Sequence, residues 1–377
     1  MSGSANRSSR RGGSRTLRAR YAGGTTHLRI GRNLNEQLAE VLRAYPAPRL
    51  LVSESQVARA RQRQLEDLQD RVEHGRLVLR AGEEGKSSVS LLAILAELHE
   101  LQAERGSVLV AFGGGMVGDL GGLAASLWKR GMPLVLAPSS LLAMVDACVG
   151  GKTAINFGGT RNSVGTFWPA DHVVVDLDCL ETLPQHEWLS GFGELLKTAW
   201  LSSPAWAEEL EAEGSALFRH DHHRLDHHVE QALRYKIQLT QRDEKEQGER
   251  ALLNLGHTLA HVLEAREEVE LPHGQAVLLG MLAALLVARQ VGEAEPGDAT
   301  EMEKRLIGLL KGVKLLPRPD LAALPSQELV EAMAQDKKVR HGRLRMVLPR
   351  RVGDCVVREI EAAQVLKGLQ AWKERLS

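Results

Sequence analysis

The sequence has no CxxC pair, no excess of charge of either sign and no apolar run long enough to cross a membrane. Its three cysteines, Cys148, Cys179 and Cys355, are widely spaced and odd in number, which argues against a disulfide framework or a thiolate zinc site and fits a reducing cytoplasm. Lysine plus arginine and aspartate plus glutamate both total 48, so there is no chain-wide basic surface for nucleic acid or an acidic membrane. Small-molecule chemistry is the expectation, with neither nucleic acid nor membrane as partner. The longest apolar stretch, Ala276 to Ala288, is interrupted only by Gly280 and falls short of the roughly 18 residues of a membrane span; it reads as a buried core helix. Residues 1–20 hold six arginines and no acid, without the apolar segment of a secretory signal. They read as a disordered basic tail, with a transit peptide or a weak polyanion contact as alternatives.

What is present is ordinary globular composition, 43% hydrophobic and 25% charged, over 377 residues, which predicts two domains. Short β-rich runs, Arg49–Ser53, Ser107–Phe112, Pro133–Ala137 and His172–Leu177, alternate with helical patterns and predict a mostly parallel sheet. Residues 21–184 should form an α/β nucleotide-binding domain. After Pro184, stretches such as Leu225 to Gln241 and Ala276 to Val291 predict a mainly helical domain over 185–377, with a late strand at Leu344–Leu348.

Gly113, Gly115 and Gly118 satisfy G-x-G-x-x-G between a strand and a helix, where backbone N–H groups can hold a pyrophosphate. The acidic residue of a Rossmann site is missing, since the region about 20 positions on reads Leu136-Ala-Pro-Ser-Ser140. Gly151-Lys152-Thr153 is no Walker loop, because the earlier glycine position holds Asp146.

His257 and His261 are four apart, on one face if helical, but Thr258 replaces the glutamate of a zincin. With His273 and Glu194 they offer nitrogen and oxygen ligands suited to catalytic zinc; buried histidines satisfied by backbone partners are the alternative. The five histidines of 220–228 read as a solvated face that would take up metal only adventitiously.

Together these segments resemble the dehydroquinate synthases of the sugar-phosphate cyclase family. The likeness is carried, in order, by Gly113–Asp119, Leu141–Asp146 through Lys152 to Asn156, Glu194-Leu-Leu-Lys197, Asp243–Glu246, Arg250–Thr258, His273-Gly274 and Asp336-Lys-Lys338. The resemblance implies an α/β NAD-binding domain followed by a helical metal-binding domain. It implies conversion of 3-deoxy-arabino-heptulosonate 7-phosphate to 3-dehydroquinate and phosphate in the shikimate pathway, with NAD reduced and reoxidised in each turnover. It assigns a divalent metal, zinc or else cobalt, to Glu194, His257 and His273, and substrate hydroxyls to Asp146, Lys152, Asn162 and Lys197. Lys236 and Arg250 would hold the carboxylate. Asn254, His261 and Lys337 or Lys338 would hold the phosphate, with Glu246 orienting this group and Arg130 supplied by the neighbour in a homodimer. NAD would meet Glu83, Lys86, the loop Gly114, Gly115, Met116, Val117, Gly118 and Asp119, then Ser139, Ser140, Asp146, Lys152, Arg161 and Thr182.

Ser139 and Ser140 stand where the family usually has threonines, Arg161 where it has lysine, and Gln275 where a glutamate follows His-Gly. If that glutamate tunes His273, metal affinity differs here. Another cyclase of the family, such as a 2-deoxy-scyllo-inosose synthase, and a metal-dependent polyol dehydrogenase are the alternatives.

Overall fold

The computed structural model describes residues 14–217, 224–266, 269, 271–336 and 343–377, without the side chains of 215–217 and 336. The chain divides into two compact units. The first comprises residues up to Ser139 with Ala154–Val164 and Trp168–Glu181; the second comprises Ser140–Thr153, Gly165–Phe167 and Thr182–Ser377. A single cut at residue 184 was expected, but the second unit also takes in the segment that carries Asp146 and Lys152.

The strands in chain order are β1 (Arg15–Tyr21), β2 (Gly24–Gly31), β3 (Arg49–Glu54), β4 (Gly75–Leu79), β5 (Val108–Gly113), β6 (Leu134–Pro138), β7 (Lys152–Phe157), β8 (Thr160–Phe167), β9 (His172–Asp176), β10 (Arg343–Arg351) and β11 (Asp354–Glu361). The first unit is built on a seven-stranded sheet in the order β1-β2-β9-β6-β5-β3-β4, parallel except for the β1–β2 hairpin. Every residue of β5 is buried, the pattern of an interior strand covered on both faces. β3 lies between β4 and β5, so the chain order reverses beside β5, the place where open α/β sheets bind ligands at the strands' carboxyl ends.

Residues 15–20 correct the expectation of a tail disordered to residue 20. β1 pairs along its length with β2, and alternation buries Leu17 and Ala19 while Arg18 and Arg20 face solvent. Residues 1–13 lie outside the described residues.

The second unit is mainly helical, with the β10–β11 hairpin against it. Its centre is the His273–Gln290 helix, buried continuously from Ala276 to Ala288 and packed by the helices Gln185–Ser202, His257–Glu264 and Ala362–Leu376. An apolar helix surrounded by helices has no polar face to show. No described helix is long and apolar enough to cross a membrane.

Candidate functional site

Three helices of the second unit each contribute one residue to a common point. Glu194 lies within Gln185–Ser202, and His257 and His273 each open their own helix. Glycines let these helices meet. A Cβ on Gly193 would lie 2.3 Å from the Gly274 carbonyl oxygen, and one on Gly280 2.0 Å from that of Gly256, whose φ of +79° is left-handed. Each contact adjoins one of the three residues in sequence, so backbone approach fixes where Glu194, His257 and His273 stand.

One atom from each of the three lies within 4.8 Å of the others. Glu194 Oε1 is 3.6 Å from His257 Nε2 and 3.5 Å from His273 Nε2. That oxygen is buried without a hydrogen-bond partner, whereas Oε2 accepts from Lys197 Nζ at 2.5 Å. An orphaned carboxylate oxygen facing two imidazoles fits a divalent cation, since ligands about 2.0–2.2 Å from an ion stand about 3.4 Å apart in a tetrahedron. Burial opposes ionisation of Glu194, yet Lys197 and the two histidines hold its carboxyl well below the usual range. Burial, reinforced by Lys197, pushes His257 down to about 3. His273 is also buried, but the Glu194 and Glu264 carboxylates prevail and raise it to about 10.

In the same unit, two buried cations converge on residues 146–150. Lys236 Nζ donates to the Asp146 carbonyl and to Oδ1, both at 2.6 Å, and Arg250 Nη2 donates to the Gly150 carbonyl at 3.2 Å. Asp146 sits in a π-helical turn, Ala143–Ala147. Its carboxyl is held low by Lys236 against the effect of burial, which in turn lowers Lys236. Glu246 pairs with Lys152 and accepts from Asn254 Nδ2 at 2.8 Å; these bonds overcome burial and lower its carboxyl. His261 stacks edge-on against His257, with ring centroids 5.5 Å apart. Lys337 and Lys338 lie outside the described residues.

In the first unit, β5 ends at Gly113 and a helix runs from Gly115 to Leu127. Gly114 occupies its N-cap with no side-chain cap, so no capping side chain satisfies the helix's first N–H groups. Lys86 is buried, donating to Asp119 at 2.5 Å and also to Asn162 Oδ1. Asn162 falls in this unit, beside Lys86. Asn156, unassigned from sequence, donates to Glu83 at 2.8 Å and accepts from the Asn162 N–H at 2.9 Å, tying these residues together. The Ser139 N–H bonds the Gly113 carbonyl at 2.9 Å, and Arg161 is exposed. Ser140, whose hydroxyl accepts from the Ala143 N–H at 3.3 Å, and exposed Thr182 belong to the second unit. Arg130 is exposed and follows Lys129 in left-handed backbone, with φ of 65° and 46°.

The histidine-rich tract is corrected in part. His228 is completely buried, accepting at Nδ1 from Trp206 Nε1 at 3.0 Å and facing Glu213 Oε2 at 3.0 Å from Nε2. It lies on the inner face of the Leu225–Arg242 helix with Leu225, Val229 and Ala232, which explains why it is not solvated. His220, His222 and His223 lie outside the described residues. Sequence reasoning also missed Glu264, whose Oε1 is 3.1 Å from His273 Nδ1. The available signal was its position three residues after His261, at the end of the same helix.

Profiles described as 3-dehydroquinate synthase N-terminal and C-terminal match residues 76–190 and 191–339. The chain is 41% identical over 280 residues to a 3-dehydroquinate synthase of Laribacter hongkongensis, covering 74% of this chain and 76% of that one. Among solved structures, a 2-deoxy-scyllo-inosose synthase in complex with carbaglucose-6-phosphate, NAD⁺ and Co²⁺ has a TM-score of 0.84 at 22% identity, covering 95% of this chain and 99% of that one. A 2-epi-5-epi-valiolone synthase of Streptomyces hygroscopicus subsp. jinggangensis, with NAD⁺ and Zn²⁺ bound, has a TM-score of 0.82 at 26% identity, covering 92% and 96%. With two family profiles spanning 76–339 and a relative this similar over three quarters of its length, the chain belongs to the 3-dehydroquinate synthase family.

Proposed function

We infer that this enzyme converts 3-deoxy-D-arabino-heptulosonate 7-phosphate to 3-dehydroquinate and phosphate, as a phosphate-eliminating carbon–oxygen lyase of the shikimate pathway. The observation that carries the substrate class is the convergence of Lys236 and Arg250 on residues 146–150. Two buried cations suit the carboxylate of a keto acid, a group that a hexose phosphate lacks. The identity to curated dehydroquinate synthases, 41%, against 22% to an inosose synthase points the same way.

Glu194, His257 and His273 would hold a divalent metal, zinc or cobalt. NAD would lie against Glu83, Lys86, Gly114–Asp119, Ser139, Ser140, Arg161 and Thr182, its pyrophosphate at the uncapped helix start. When bound, NAD removes and returns one hydride at a single carbon, and the metal lowers the pKa of a hydroxyl it ligates.

The chain's own groups do the rest. Lys197 keeps Glu194 ionised. Asp146, ionised by Lys236, can accept a hydroxyl proton, and Lys152 and Asn162 orient hydroxyls. Asn254, His261 and Lys337 or Lys338 hold the phosphate, with Glu246 fixing Lys152 and Asn254 from behind. Arg130 completes the site of the partner in a cytoplasmic homodimer. Within its own chain the exposed Arg130 makes no side-chain hydrogen bond or ion pair among the described residues, which leaves it available to a partner.

Phosphate release from the heptulosonate phosphate, compared with release from glucose 6-phosphate, tests the reading. Release from the first alone is expected; comparable turnover of glucose 6-phosphate would favour an inosose synthase.

A further inference from the structure

We propose that Glu264 is the positioning residue of the metal centre, fixing the tautomer and ring orientation of His273 through its Nδ1. The inference rests on the reading of Glu194, His257 and His273 as metal ligands. Both histidines turn Nε2 toward Glu194 Oε1, so each must be held through Nδ1. The two are held differently. His257 Nδ1 meets the Leu255 carbonyl at 3.2 Å, a backbone group two residues away that no substitution removes. His273 Nδ1 meets the Glu264 carboxylate at 3.1 Å, and Glu264 ends the helix that His257 begins.

One short helix therefore supplies a ligand at its first residue and the support of a second ligand at its last. Nδ1–H donating to a carboxylate leaves the Nε2 lone pair for the cation and raises its basicity, the arrangement in which outer carboxylates strengthen imidazole ligands. Gln275 stands where the resemblance places a glutamate after His-Gly, and the carboxylate on His273 Nδ1 is that of Glu264. The replacement of an acid by Gln275 thus leaves the support of His273 in place.

The test is zinc binding to the full-length protein, measured by competition with a chromophoric chelator, in wild type, Glu264→Ala, Glu264→Gln and His257→Ala. Cobalt(II) absorption spectra and thermal unfolding of the chelator-treated proteins accompany it. Wild type is expected to bind one zinc per chain. Glu264→Ala should bind on the order of 10–100-fold more weakly, with an altered cobalt spectrum. Glu264→Gln, which keeps an acceptor for Nδ1–H, should fall between them and decides the matter if the alanine variant does not fold. Wild-type affinity and spectrum in both Glu264 variants, with binding lost only in His257→Ala, would overturn the role of Glu264 and leave the ligand set standing. A shift in unfolding temperature without a change in affinity would also overturn it. Wild type that binds no zinc would overturn the ligand set itself.

Discussion

Lys197 stands one helical turn after Glu194 and donates to one oxygen of its carboxylate at 2.5 Å, leaving the other oxygen for His257 and His273. Both side chains are almost completely buried, so the ammonium is what makes a buried carboxylate tolerable there. Removing one partner of such a pair costs about 3–5 kcal/mol, whereas removing both costs less. Lys197→Met is therefore expected to lower the urea midpoint more than the double variant Glu194→Gln/Lys197→Met. Equal or greater loss in the double variant would show that the two side chains do not stabilise each other.

Gly193 is a second control point, since a methyl group there would strike the Gly274 carbonyl. Gly193→Ala should destabilise by about 1–3 kcal/mol and weaken zinc binding, because Glu194 and His273 are the adjoining residues. Gly308, in the Pro296–Gly312 helix, has open space at its Cβ position. Gly308→Ala should be neutral or stabilising by up to about 1 kcal/mol. Calorimetry and zinc titration of the two variants check both claims.

Much of this was legible beforehand, and the failures have physical causes. The β3, β5, β6 and β9 runs announced themselves because interior parallel strands are continuously apolar. β1 did not, because the arginines of RTLRARY outweigh Leu17 and Ala19 in composition although their alternation is that of a strand. The β7–β8 pair was not among the expected strands, and every residue of β8 is exposed, so no apolar pattern marks it. Glu194, His257 and His273 were visible as residue types in motifs. The approach of Glu264 to His273 and the glycine contacts arise only when separate helices pack.

His228 gives the helical unit a pH dependence. Trp206 donates to Nδ1, so the proton resides on Nε2 and the ring is neutral, and burial holds its pKa below the ordinary value despite Glu213. As pH falls below about 6.5, the unfolded chain's histidine takes up a proton that the folded one resists. The unfolded state then binds more protons, and stability declines with falling pH in that window. Urea midpoints between pH 7.5 and 5 should fall less steeply in His228→Gln than in wild type. An identical slope would assign the decline to other groups.

Lys236→Ala is expected to lower kcat/KM for the heptulosonate phosphate by an amount equivalent to about 2–4 kcal/mol, the loss of a desolvated charge contact. Steady-state kinetics with a decarboxylated analogue should show a much smaller difference between variant and wild type. An equal loss with both substrates would show that Lys236 acts through Asp146 alone.

Coexpression tests the sharing of Arg130. Arg130→Ala and Lys152→Ala should each be nearly inactive, yet a mixed dimer would collect both defects in one site and neither in the other. Random pairing makes about half the dimers mixed, so roughly a quarter of wild-type activity should return. Activity no greater than the sum of the residuals, in verified mixed dimers, would show that each chain uses its own Arg130.

The most direct test of the account is the stoichiometry of NAD during turnover. Purified protein with zinc, the heptulosonate phosphate and NAD⁺ at a small fraction of the substrate concentration should release phosphate and 3-dehydroquinate through many turnovers. NADH absorbance should stay near the baseline throughout. NADH rising in step with product, or turnover stopping once the added NAD⁺ is consumed, would contradict the account and identify a dehydrogenase.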